Sequence, residues 1–167
     1  MVNDGKYFFV LDGTKAFFKL VGTLKYTSAS KFDTFLDNLF KNSCNFEDVL
    51  IDLSEAVFLD STNLGFLARI SEFINDKYGK KVAIYSPKEE INKLLESVGF
   101  DEVFVLVKSI DAQCDLAEIS ADEGVDRCRS EMMLDAHKAL ISVCEKNAGK
   151  FCDVVNLLQK SVDEGKK

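Results

Sequence analysis

Apolar residues recur along the chain in two alternating periods. Residues 7–11 and 16–24 are dense in Phe, Val and Leu of strand type, and Asp12-Gly13-Thr14-Lys15 between them places a glycine where a positive φ costs little, so the two segments are expected to pair as a hairpin. Phe32, Phe35, Leu36, Leu39 and Phe40 follow the i, i+3, i+4, i+7, i+8 rule of an amphipathic helix over about 28–42, with Thr27, Ser28 or Ser30 as cap candidates. Val49-Leu50-Ile51-Asp52-Leu53 reads as a strand buried on both faces. Leu64, Leu67, Ser71 and Ile74 then mark a helix from Ser61 to about 77, capped by Asp60 or Ser61 and stopped by Gly79. Val82-Ala83-Ile84-Tyr85 is the next strand, and Ser86-Pro87-Lys88-Glu89 fits a capping box for a helix whose buried face is Ile91, Leu94, Leu95 and Val98, ending at Gly99. A strand over 103–107 and a short helix over 109–118 complete the series. Strands alternating with helices imply right-handed crossovers and a sheet that is at least partly parallel.

The pattern changes at residues 119–125, Ile-Ser-Ala-Asp-Glu-Gly-Val, a short polar turn-forming stretch expected to be a linker. Beyond it, Met133, His137, Leu140 and Cys144 recur helically, Gly149 interrupts, and Phe151, Val154, Val155, Leu158 and Val162 form a second stripe. The division expected is a domain over 1–118, the linker over 119–125, a two-helix extension over 126–163 as a hairpin or bent helix, and a flexible tail over 164–167. Two helices are marginal alone, so their apolar stripes must pack on the first domain, on a second copy or on a partner. Packing on the first domain or on a twin is the simpler expectation.

The chain has 167 residues, is 47% hydrophobic and contains 14 phenylalanines, enough for one sizeable core. Its formal charge of -7 opposes binding to phosphate backbones, and nucleic acid is not an expected partner. No apolar run reaches the roughly 20 residues that span a bilayer. The opening Met1-Val2-Asn3-Asp4-Gly5 lacks a basic region followed by an apolar stretch, so a cytoplasmic location without membrane insertion is expected. Cys44, Cys114, Cys128, Cys144 and Cys152 include no C-x-x-C pair and read as free thiols. His137 is the single histidine; inside a helical pattern and without clustered ligands, it reads as structural.

Catalytic chemistry finds little support. Neither G-x-x-x-x-G-K-[ST] nor G-x-G-x-x-G is present, which removes autonomous nucleotide hydrolysis and dinucleotide use. No G-x-S-x-G elbow occurs, and the one base that Ser61 could recruit is His137, far off in the appended helices. Asp52, Glu55 and Asp60 lie close in sequence without the helpers that metal-assisted phosphoryl transfer needs. The Lys80-Lys81 and Lys166-Lys167 pairs read as solvated charge. A non-enzymatic protein without cofactor or metal is expected. What stands out is Ser61 at a helix start just beyond an apolar strand: free amide hydrogens and the positive dipole end favour an anion there, so a phosphate on Ser61 would be tolerated by the backbone. The plainer alternative is a capping serine.

Leu50-Ile51-Asp52-Leu53 followed by Val57-Phe58-Leu59-Asp60-Ser61-Thr62-Asn63-Leu64-Gly65 resembles the signature of the STAS domain of bacterial anti-sigma factor antagonists. Gly22-Thr23-Leu24, Ser86-Pro87 and Leu94-Leu95-Glu96-Ser97-Val98-Gly99-Phe100 support the resemblance in order and spacing, over about residues 3–118. The resemblance implies a mixed β-sheet with helices packed on one face, here followed by the C-terminal helical hairpin. It implies that Ser61 is phosphorylated by a serine kinase that doubles as anti-sigma factor, and that a PP2C-type phosphatase reverses the mark. It further implies a partner-binding surface of Asp60, Ser61, Thr62 and Asn63, with Gly22, Thr23, Leu24 and Ser86 at the same end of the sheet. Two positions depart from the family pattern: Lys25 stands where an acidic residue is usual, which bears on partner choice, and Asn63 where glycine is usual. Alternatives are a scaffold subunit of a signalling assembly, with a homodimer built through the C-terminal helices, and an accessory module for ligand or lipid transport.

Overall fold

The protein was analysed as a computed structural model, which describes residues 4–42, 45–110, 115–120 and 128–165. Strands β1 (Lys6–Asp12) and β2 (Lys15–Leu24) form the expected antiparallel hairpin, with Leu11 opposite Ala16 and Tyr7 opposite Leu20. On the other side of β2, its first half pairs in parallel with β3 (Asp48–Asp52) and its end pairs in parallel with β4 (Ala56–Leu59). Strands β5 (Ala83–Tyr85) and β6 (Val105–Val107) extend the parallel part, and the two-residue β7 (Ala117–Glu118) lies beyond β1, giving the order β6-β5-β3-β2-β1-β7 with β4 beside β2. The sheet is therefore mixed, and its parallel strands finish at one end.

Side chains of β2 alternate strictly, Ala16, Phe18, Leu20 and Leu24 being buried while Phe17, Lys19, Val21 and Thr23 are only partly covered. Strand β3 does the same, with Val49 and Ile51 buried and Leu50 and Asp52 partly exposed. The expectation that this strand is buried on both faces is thus corrected, because the core lies on one face of the sheet. Helices α1 (Ser30–Lys41), α2 (Ser61–Tyr78), α3 (Glu89–Ser97) and the short α4 (Phe100–Val103) supply the rest of the layer. An aromatic cluster joins sheet to helices: the Tyr7 ring stacks on Phe32 at 4.4 Å, and Phe32 meets Phe18 and Phe66 edge-on at 6.0 and 5.6 Å. Arg69 of α2 then bridges to α1, its guanidinium 2.8 Å from Asp33 and 2.6 Å from Asp37.

Several local expectations change. Helix α1 is capped by Ala29 with no side-chain bond, after a turn of 3-10 helix at Tyr26–Ser28, so Thr27, Ser28 and Ser30 are not its caps. The box at Ser86 does not form: α3 starts at Glu89, capped by the extended Lys88, whose ammonium donates to the Ala56 carbonyl at 3.0 Å. Gly79 and Gly99 stop their helices in the left-handed conformation, at φ 65° and 76°, as expected. Of the helix expected over 109–118, residues 111–114 lie outside the described residues, and its end, Ala117–Glu118, is instead an edge strand antiparallel to β1.

The extension is a hairpin of α5 (Arg129–Val143) and α6 (Lys146–Gly165). Gly149 lies within α6 rather than interrupting it, and the break falls at Cys144-Glu145. Of the expected linker, Ile119 is tied to the core by the hydrogen bond its N–H donates to the Tyr7 carbonyl at 2.7 Å, while 121–125 lie outside the described residues, as do Cys44 and Cys114. Cys128, Cys144 and Cys152 are free thiols. Among the described residues no helix is long and apolar enough to cross a membrane.

Candidate functional site at the start of helix α2

Helix α2 begins where β4 runs out beside the end of β2. The Leu24 carbonyl accepts the Asp60 amide at 3.0 Å, so the last bond of the β2–β4 pair also places the helix cap. Gly22 adopts φ 84° beside a register shift in that pair, and its amide bonds to Glu55 at 2.9 Å. Gly22, Thr23 and Leu24 therefore lie against the strand that delivers Asp60 and Ser61. Ser86 follows β5 at the same end of the sheet, but its hydroxyl is buried with no hydrogen-bond partner, and contact with β4 is made by Lys88.

Asp60 is the N-cap: one carboxylate oxygen accepts the Asn63 amide at 3.0 Å. Ser61 is consequently the first helical residue, which leaves its hydroxyl free of capping duty. The same Asp60 oxygen accepts the Asn63 side-chain NH2 at 2.9 Å, and the other accepts the Tyr26 amide at 2.6 Å. Asn63 is fully buried, and its carbonyl oxygen accepts the hydroxyl of Tyr7, which comes from the first strand. Burial holds the Tyr7 hydroxyl far above the ordinary phenol range, and the nearby Asp60 charge acts the same way against the Asn63 bond. Tyr7 is thus a permanent donor. Thr62 and Asn63 are both buried, as are Gly22 and Leu24, so the accessible part of the expected surface is Asp60, Ser61, Thr23 and Ser86, each partly exposed, with Lys25 exposed next to Leu24.

Ser61 has a partner that the sequence placed far away. Its hydroxyl oxygen lies 2.8 Å from Nε2 of His137 on α5, and Nδ1 of His137 lies 2.6 Å from the Met133 carbonyl. A carbonyl only accepts, so in the neutral imidazole Nδ1 carries the proton and Nε2 accepts the serine O–H. His137 is buried, and its ring packs edge-on to Phe151 at 5.5 Å. The helix crossing that brings it there depends on Gly65, one turn past Ser61: a Cβ at Gly65 would collide with the backbone carbonyl and Cβ of Ala136. A serine bonded to a histidine has the outline of a nucleophile and base, but here the carboxylate of Asp60 binds the first-turn amide of Asn63, and the imidazole is sealed under its own helix. Among the described residues no group of three or more His, Cys, Asp or Glu could hold a metal ion.

Fold and site together define a mixed α/β domain with its helices on one side of the sheet and a capped helix start at the strand ends. The chain belongs to the STAS domain family, whose profile matches residues 10–113. Similar solved structures include the anti-sigma factor antagonist SpoIIAA in its unphosphorylated form, 10% identical over 61% of this chain and 88% of that one, with a TM-score of 0.53. An anti-sigma factor antagonist from Mycobacterium paratuberculosis is 19% identical over 64% of this chain and 88% of that one, with a TM-score of 0.54. The search of curated proteins gave no match. Helices α5 and α6 lie beyond the family match.

Proposed function

We propose that the protein is a non-enzymatic partner-switching regulator of the anti-sigma factor antagonist type, working in the cytoplasm of a bacterium. It binds an anti-sigma factor serine kinase through the end of the sheet around Asp60 and Ser61, and phosphorylation of Ser61, reversed by a PP2C-type phosphatase, releases it. The observation that carries this reading is the position of Ser61: a hydroxyl on the first turn of α2 that caps nothing, directly after a strand that exposes Val57 and Phe58. Phosphate would add a charge of about -1.5 to -2. Because the Asp60 carboxylate already occupies the Asn63 amide, that charge would stand beside another anion and an apolar patch. Such a change opposes a closely apposed partner and is the physical basis of release. Gly22, Thr23 and Leu24 shape the rim, while Thr62, Asn63 and Ser86 support it from within.

The test is binding of the kinase to the full chain and to Ser61→Asp by calorimetry. The substitution is expected to weaken binding at least tenfold, and equal affinities would overturn the proposal. A second reading, a homodimer through the C-terminal helices, draws on one observation: Val154 and Leu157 of α6 are exposed, Leu157 at 65%. Light scattering that gives the monomer mass at high protein concentration removes it.

A further inference from the structure

The hydroxyl that the proposed switch needs is already engaged inside the molecule. Three contacts hold α5 over the start of α2. His137 Nε2 accepts a hydrogen bond from the Ser61 hydroxyl at 2.8 Å, the backbone of Ala136 rests directly on Gly65, and the Arg129 guanidinium stands 5.5 Å above the ring of Tyr26, whose amide is bound to Asp60. The α2–α5 pairing is the most extensive helix–helix interface among the described residues. Asn147 locks the far end of the hairpin, donating from its buried amide to the Val98 and Leu140 carbonyls at 3.0 and 2.7 Å.

We propose that α5 is an intramolecular cover for Ser61, which becomes available to a kinase or a binding partner only when the α5–α6 hairpin lifts from α2. A kinase must bring its own base to the serine proton, and His137 occupies that position. A partner that lies flat on the first turn of α2 must displace the same helix. The extension therefore sets how often the switch residue is presented, and anything that binds the lifted hairpin raises that fraction. Only this regulatory consequence rests on the function proposed above; the covering itself does not.

The covering can be read without a kinase. In the full chain carrying Ser61→Cys, labelling by a neutral maleimide is followed by peptide mass spectrometry at a pH of about 9.5, where a thiol is mostly ionised with or without a neighbouring imidazole. The exposed Cys128 and Cys152 report the free rate in the same molecule. Residue 61 is expected to label at least tenfold more slowly than Cys152. Adding Ala136→Leu, or Gly65→Ala from the opposite side, should raise its rate at least tenfold while hydrogen exchange across 129–143 also rises. Two substitutions on different helices guard against one that fails to fold. Labelling of residue 61 at the Cys152 rate in the starting chain overturns the cover. So does an unchanged rate when exchange shows that α5 has loosened. Fast labelling after loosening, together with a kinase that still leaves the loosened chain unmodified at Ser61, would keep the cover and remove the phosphorylation reading.

Discussion

Helices α5 and α6 share one hairpin and differ in how they are used. In α5, Met132, Leu134, Ala136, His137, Ala139 and Leu140 are all buried, yet half of these are small or polar and make no strong apolar stripe. In α6 the stripe of Phe151, Val154, Val155, Leu158 and Val162 is plain in the sequence, but only Val162 and Asn147 are fully buried and Leu157 is among the most exposed apolar side chains of the protein. The difference shows what close helix packing asks for. A helix that must lie directly on another needs small residues at the crossing, here Ala136 on Gly65, and a polar group such as His137 is admitted because it finds partners at both ring nitrogens. A strong stripe only says that a helix has two sides.

Substitutions sharpen this contrast in descending order of effect. Phe32→Ala removes the ring that links Tyr7, Phe18 and Phe66 and should cost about 3–5 kcal/mol in denaturant unfolding, affecting the sheet domain and the hairpin together. Asn63→Ala strips the buried Tyr7 hydroxyl and Asp60 of a shared partner, and a loss of about 1–3 kcal/mol is expected. Ala136→Leu overpacks the crossing and should cost about 1–3 kcal/mol, with faster amide exchange in α5 and little change in β1–β3. Leu157→Ser on the exposed side of α6 should stay within about 0.5 kcal/mol of the parent; a larger loss would mean that α6 is covered by a second copy.

The α2–α5 seam also carries a pH signature. Burial pushes the Glu72 carboxyl above its ordinary range, against a hydrogen bond with Ser142 of α5. The folded protein thus holds this proton more tightly than the unfolded chain. Stability is greatest below the unfolded carboxyl pKa and falls as pH rises through the window up to the raised folded value. Glu72→Gln should therefore raise the thermal midpoint modestly at pH 7 and leave it unchanged near pH 3, as differential scanning calorimetry can check. An equal gain at both pH values would contradict this assignment.

Local chemistry was legible and distant pairing was not. The hairpin at Gly13, the stop at Gly79, the face of Leu64, Leu67, Ser71 and Ile74, and the STAS signature all follow from neighbours in sequence. The end of the helix expected over 109–118 is strand instead, because the edge of β1 was free to pair with Ala117–Glu118, a choice made by tertiary contact. The box at Ser86 failed because the helix starts two residues later than it requires, with the extended Lys88 at the N-cap and its ammonium on the Ala56 carbonyl. Around Ser61, the residues that were missed as site members came from far along the chain: Tyr7 is 56 positions from Asn63, and His137 is 76 positions from Ser61. The single histidine inside a helix was the one signal for the latter, and periodicity alone could not say that its ring would meet Ser61. Asn63, in place of the family's usual glycine, was visible as a departure; its role in joining Tyr7 to Asp60 needed the fold.

The central claim is that Ser61 is a substrate for another protein's chemistry. Full-length protein incubated with an anti-sigma factor serine kinase of its own cell and ATP, then mapped by peptide mass spectrometry, tests it most directly. A phosphate at Ser61, absent from the Ser61→Ala chain, is the predicted result. A chain that binds the kinase and remains unmodified at Ser61, even with Ala136→Leu loosening α5, would contradict it.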